Sequence, residues 1–214
     1  MKRSRIACII FDLDRCIFDT SSMGPEVLEP IRKVIRESNL SDTCKTQAQD
    51  LLLTTSLTDL ACACEIPESV VSQMRAAYRS MTVPAQARSY GDEQVIAQLP
   101  GEKILVTTGF ERFQREKIAH TGVTRLFSMI VIDAVDDVSI RKGKEKIFSN
   151  LAHERALPME AICVVGDSPD SELGAGKRLG MVTVQTLRPG VVPWDGADYR
   201  IQNLRELTTI IEGA

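Results

Sequence analysis

The chain has 214 residues, with 26 Lys and Arg against 29 Asp and Glu, a net charge of −3, and 43% hydrophobic and 26% charged residues. That length buries a sizeable core, read here as one main domain with an insertion, and the charge balance leaves no electrostatic footprint for nucleic acid. No apolar run approaches the roughly 18–20 residues that span a bilayer, so the expectation is a cytoplasmic protein without a membrane partner, a monomer or homodimer.

The basic start Met1-Lys2-Arg3-Ser4-Arg5 is followed by an apolar run too short for a signal peptide. That run, Ile6-Ala7-Cys8-Ile9-Ile10, reads as a buried strand, and Phe11-Asp12-Leu13-Asp14 stands at its exit. Two acids spaced two apart at the carboxyl edge of a sheet repel one another unless a cation or shared proton compensates. Helical patterns then fill residues 20–88. In Pro25 to Glu37, the residues Val27, Leu28, Ile31, Val34 and Ile35 share one face. Further helices are expected over Thr46–Leu53, Leu57–Cys64 and Pro67–Ser80. Cys62-Ala63-Cys64 has no second pair or nearby histidine and reads as part of a half-buried helix. With the six cysteines scattered, a reducing compartment is expected. Arg75, Arg79 and Arg88 read as a solvated basic face.

A second apolar strand, Lys103 to Val106, runs into Thr107-Thr108-Gly109-Phe110 and a helix from Glu111 to His120. Hydroxyls and free N–H groups at such a junction can receive an anion. Met129 to Ile132 is a third strand, with Asp133, Asp136 and Asp137 expected in a solvated loop after it. Lys142-Gly143-Lys144-Glu145-Lys146-Ile147-Phe148 opens a helix to about Arg155, and cations at a helix start oppose its dipole, so at least one should face an anion elsewhere. Ala161 to Val165 is a fourth strand, leading into Gly166-Asp167-Ser168-Pro169-Asp170-Ser171-Glu172. If these strands are parallel neighbours, three acids, a lysine and a threonine meet at one edge, a site for a magnesium ion and a phosphoryl group. Gly174-Ala175-Gly176-Lys177 lacks the rest of a phosphate-binding loop and reads as a helix packed closely on the sheet. His120 and His153 have no nucleophile in motif context. A last core strand, Met181 to Gln185, and a loop over 188–194 precede a terminal helix.

In order and spacing, Phe11-Asp12-Leu13-Asp14, Val106 to Phe110, Lys142 to Phe148 and Gly166 to Glu172 resemble the four motifs of the haloacid dehalogenase-like hydrolase superfamily. The third has Gly143 where proline is usual, and the fourth has glutamate in its last position. The resemblance implies a doubly wound, Rossmann-type α/β core over 1–19 and 89–214, with a small helical cap over 20–88. It also implies a magnesium-dependent phosphatase acting on a small phosphorylated metabolite. Asp12 would be the nucleophile that becomes an aspartyl phosphate, and Asp14 the acid and then base. Thr107, the amide of Thr108 and Lys142 would hold the phosphoryl group. Mg2+ would sit on Asp12, Asp167 and the carbonyl of Asp14, with Glu172 or Asp170 in support. Arg15 and Cys16 depart from the small residue and hydroxyl usual after the second acid. A phosphomutase of the same superfamily and a catalytically silent phosphate- or partner-binding module are the competing readings.

Overall fold

The computed structural model describes residues 6–52, 57–136 and 141–213. They divide into two compact units, Met1–Ser22 with Gln86–Ala214, and Met23–Ala85.

The larger unit is built on a six-stranded parallel sheet. Its strands are β1 (Cys8–Phe11), β4 (Glu102–Gly109), β5 (Met129–Ala134), β6 (Ile162–Gly166), β7 (Val182–Thr186) and β8 (Tyr199–Ile201), in the order β5-β4-β1-β6-β7-β8. All five pairings are parallel, the doubly wound arrangement expected from apolar strands alternating with helices. The chain moves outward from β1 through β4 to β5, then returns to lay β6 on the other side of β1. The switch therefore falls between β1 and β6, where Phe11 is in register with Val165. That is where ligands sit in open sheets of this kind, and Asp12 and Asp167 leave their strands there.

Helices α5 (Glu111–Thr121), α6 (Lys144–Glu154), α7 (Glu172–Leu179) and α8 (Leu207–Gly213) complete this unit. One core cluster is formed by Cys8, Ile10, Ile104, Val106 and Val164 from the sheet with Phe148, Leu151 and Ala175 from α6 and α7. Gly176 owes its identity to this packing, since a Cβ there would come within 3.0 Å of the Val164 side chain. In the Gly-rich stretch over 174–177, Gly176 is thus a helix–sheet contact, whereas a Cβ on Gly174 would collide with the Pro169 carbonyl of the preceding loop. Two short strands, β2 (Phe18–Asp19) and β3 (Arg88–Ser89), pair antiparallel as a separate ribbon.

The smaller unit is helical: α1 (Glu29–Glu37), α2 (Asp42–Leu51), α3 (Leu57–Ala63) and α4 (Glu68–Ser80). Ser41 caps α2, its hydroxyl accepting the Cys44 N–H at 3.2 Å, and Pro67 immediately precedes α4. α1 packs against α4 and α2, burying Ile31, Ile35, Ala48 and Met74 completely. The Cys44 thiol meets the carbonyl of Cys64 at 3.0 Å, and among the described residues all six cysteines are free. Among the described residues no helix is long and apolar enough to cross a membrane.

Candidate active site

Asp12 is the first residue beyond β1 and is only 6% exposed. Its N–H donates to Val165 O at 2.9 Å, which extends the β1–β6 pairing by one residue and fixes where the side chain emerges. Lys144 Nζ donates to Asp12 Oδ1 at 2.6 Å and to Glu172 Oε2 at 2.7 Å. Glu172 in turn accepts the Ser168 N–H at Oε1, 2.7 Å away. Its side chain crosses over Gly166, where a Cβ would collide with the carboxylate, so the glycine ahead of Asp167 leaves room for Glu172.

These charges shift one another. Burial raises the Asp12 carboxyl above the usual carboxylate range, although the Lys144 ammonium pulls the other way. Asp167 is pushed up to about 6 by burial and by the charge of Glu172, and Arg15 Nε, 3.4 Å from its Oδ2, offsets part of this. Glu172 would also be raised by burial, but Lys144 and the backbone hydrogen bond from Ser168 hold it low. Asp12, Asp167 and Glu172 each offer a carboxylate oxygen, all within 4.8 Å of one another. Three acids against one ammonium is a hard-oxygen donor set that fits a divalent cation.

The lysine on Asp12 is Lys144, not Lys142. Gly143 takes φ 78° as the residue before α6, and Asp133 accepts the N–H groups of Lys142 (2.9 Å) and Gly143 (3.2 Å). The chain is therefore pinned outside the site at residue 142 and enters it with the first residue of the helix. Lys142 is exposed, and Lys144 is buried. Asp133 is itself buried, at 4% exposure, and is a cap for this turn instead of a solvated loop residue. Asp137 lies outside the described residues. Of the two candidates for supporting acid, Glu172 is in the cluster and Asp170 is exposed.

Asp14 is held apart from that cluster. Lys117 Nζ lies 2.8 and 3.0 Å from its two oxygens, Gln114 Nε2 donates to Oδ2 at 2.9 Å, and Thr20 Oγ1 donates to Oδ1 at 3.2 Å. Burial works to raise this carboxyl, but the Lys117 ammonium and the hydrogen bonds from Lys117, Gln114 and Thr20 keep it below the usual range. Gln114 Nε2 also meets Thr107 Oγ1 at 2.8 Å and the Thr108 carbonyl at 3.0 Å, while Gln114 Oε1 is buried without a hydrogen-bond partner. Thr107 is buried in β4, two residues beyond the last position paired with β1 and in register with Ile132 of β5.

Arg15 and Cys16 sit in a tight turn in which the N–H groups of Ile17 and Phe18 both reach Leu13 O, and Arg15 adopts the left-handed φ of 55°. The Cys16 thiol points at Val165 O at 3.7 Å, a weaker hydrogen bond than a hydroxyl would make there. Its carbonyl accepts two N–H groups of Arg188, which also grips Asp92 with Nη1 and Nη2 at 2.9 Å each. This buried clamp braces the turn that carries Asp14.

The family model for haloacid dehalogenase-like hydrolases matches residues 9–186. The chain belongs to that family. Among relatives, it is 30% identical over 112 residues to the glyceraldehyde 3-phosphate phosphatase of Methanopyrus kandleri, covering 50% of this chain and 47% of that protein. It is 30% identical over 106 residues to the phosphoserine phosphatase of Thermus thermophilus, covering 48% and 41%. The chain thus spans less than half the length of these two relatives. Among solved structures, the haloacid dehalogenase-like protein SP0104 of Streptococcus pneumoniae superposes with a TM-score of 0.71 at 14% identity, covering 96% of this chain and 98% of that one. The HAD-hydrolase YfnB of Bacillus subtilis, solved bound to magnesium, gives 0.66 at 17% identity and 97% and 99% coverage. These likenesses confirm the doubly wound haloacid dehalogenase-like core expected from the four motifs.

Gln114, Lys117, Arg188 and Asp92 were not singled out from the sequence. Gln114 and Lys117 stand three apart on α5, next to Phe113, and that spacing on a face carrying an aromatic is the one signal that marks them.

Proposed function

We propose that this protein is a magnesium-dependent phosphatase of small phosphorylated metabolites, working through an aspartyl phosphate on Asp12. The observation that carries the reading is the buried carboxylate of Asp12, at the sheet's switch point, bonded to Lys144 within a group of three acids, in a chain of the haloacid dehalogenase-like family. Relatives named as phosphatases of glyceraldehyde 3-phosphate and phosphoserine support the substrate class.

In this reading an Asp12 oxygen attacks phosphorus. A bond from phosphorus to Asp12 forms as the bond to the leaving alkoxide breaks; Asp14, ionised beside Lys117 in the free protein, takes up a proton from solvent as the negative phosphate arrives and delivers it to that oxygen. Asp14, now a base, takes a proton from water, which attacks the same phosphorus and returns Asp12 free with inorganic phosphate. Thr107 and the amide of Thr108 hold the equatorial oxygens. Lys144, in the role expected of Lys142, keeps its ammonium between Asp12 and Glu172 and screens the nucleophile from the incoming dianion. Asp12, Asp167 and the Asp14 carbonyl would hold magnesium, with Glu172 beside them; the ion supplies charge neutralisation for the phosphoryl oxygens.

The test is release of phosphate from p-nitrophenyl phosphate and a panel of alkyl phosphometabolites, with Mg2+ and with EDTA. Mg2+-dependent release that is lost in Asp12→Asn supports the reading. Release unaffected by Asp12→Asn, or no release from any compound, overturns it.

A further inference from the structure

The contacts around Asp14 go beyond what solubilising a turn acid requires. Lys117 comes from α5, its side chain is 7% exposed, and among the described residues Asp14 is the one carboxylate that pairs with it. The ammonium lies 4.8 Å from the Phe113 ring centroid and 5.5 Å from that of Phe18, so two aromatic faces wall it off from water. A buried ion pair of this kind is a poor source of stability, because desolvating both charges consumes most of the attraction. Its effect is geometric. With both oxygens in contact with one ammonium, and one each taken by Gln114 and Thr20, the carboxylate cannot turn about its own axis without losing bonds. Gln114 Nε2 is shared with Thr107 Oγ1, so the same amide registers Asp14 against the Thr107 hydroxyl of β4.

We propose that Lys117 is a positioning residue for Asp14, with Gln114 as its neutral partner. It aims the acid at the leaving oxygen of a phosphate held by Thr107. The inference rests on the phosphatase reading and adds to it a residue that touches no reacting atom.

The experiment compares kcat/KM for two substrates in the unsubstituted protein, Lys117→Met and Lys117→Arg. kcat/KM reports steps up to departure of the leaving group. p-Nitrophenolate departs without protonation, whereas an alkoxide needs the acid. One substrate is therefore p-nitrophenyl phosphate, and the other is the alkyl phosphate of the panel that the unsubstituted protein hydrolyses fastest. Lys117→Met should lower kcat/KM for the alkyl phosphate by about 100-fold and for p-nitrophenyl phosphate by less than about 5-fold, the scale of a lost general acid. Lys117→Arg should restore most of the alkyl activity. Equal losses on both substrates, or no loss on either, overturn the proposal. If Lys117→Met does not fold, Lys117→Gln carries the same comparison. No turnover of either substrate by the unsubstituted protein overturns the phosphatase reading, and the inference falls with it; normal turnover there with an even loss in the variants overturns the inference alone.

Discussion

Lys144 Nζ stands 2.6 Å from Asp12 Oδ1, with the two side chains only 7% and 8% exposed. An ammonium this deep is tolerated because Glu172 takes a second of its hydrogens at 2.7 Å.

The lysine's neighbour in sequence makes a sharp control. Lys144→Met should destabilise the fold by about 3–5 kcal/mol, the usual cost of leaving buried charges without their partner, and should abolish turnover. Lys142→Ala should stay within about 0.5 kcal/mol, as exposed positions do, with turnover intact. Urea unfolding and phosphate release on both variants check this. A loss confined to Lys142→Ala would reverse the assignment.

Added Mg2+ should raise the unfolding temperature, since a ligand at 100 times its dissociation constant contributes about 2.7 kcal/mol. Asp167→Asn removes one of the three clustered carboxylates and should shrink that shift severalfold, with the metal-free stability little changed. A Mg2+-induced shift of the same size in Asp167→Asn would remove Asp167 from the metal set.

Arg188 and Asp92 are 5% and 3% exposed at the side chain, and Asp92 Oδ2 also accepts the Leu204 N–H at 2.8 Å. Asp92→Ala strands the guanidinium and that amide together, and a loss of about 3–5 kcal/mol is expected in denaturant unfolding. A loss under about 1 kcal/mol, the size of a surface pair, would show that the clamp is idle.

Asp198 supplies a pH dependence. Its partial burial would raise the carboxyl, but Lys177 at 2.6 Å and the Thr183 N–H and hydroxyl at 2.9 and 2.8 Å hold it below its usual value. The folded protein therefore binds this proton less readily than the unfolded chain. The contribution is complete above about pH 5 and is lost as the pH falls through the depressed value, below about pH 4. Asp198→Asn should lower the urea midpoint at pH 7 more than at pH 3. An equal decrement at both would disprove the linkage.

How far the sequence could be read depended on the kind of contact. Strands running straight into acids, as at Phe11-Asp12 and Gly166-Asp167, are legible because burial on both faces demands unbroken apolar residues and the polar residue that ends them must sit at the edge. The partner of Asp12 was less accessible. Lys142 and Lys144 flank one glycine, and the choice between them is made by the turn that Asp133 caps from another strand. Lys117 looked like any charged residue of a surface helix, because its anion lies 103 positions away in the chain. Arg188 belongs to a stretch without periodicity, and only the folded path past Cys16 and Asp92 gives it a purpose.

The small ribbon in which Phe18 faces Ser89 and Asp19 faces Arg88 bears on how this architecture can vary. It brings the two ends of the intervening segment side by side, like the two posts of a gate. The parallel register between β1 and β4 is set entirely on the sheet's side of those posts. Chain of another length or fold can be strung between them without shifting a residue of the sheet. Residues 23–85 are therefore exchangeable as a cassette, while Asp12, Asp14 and their fixings stay where they are.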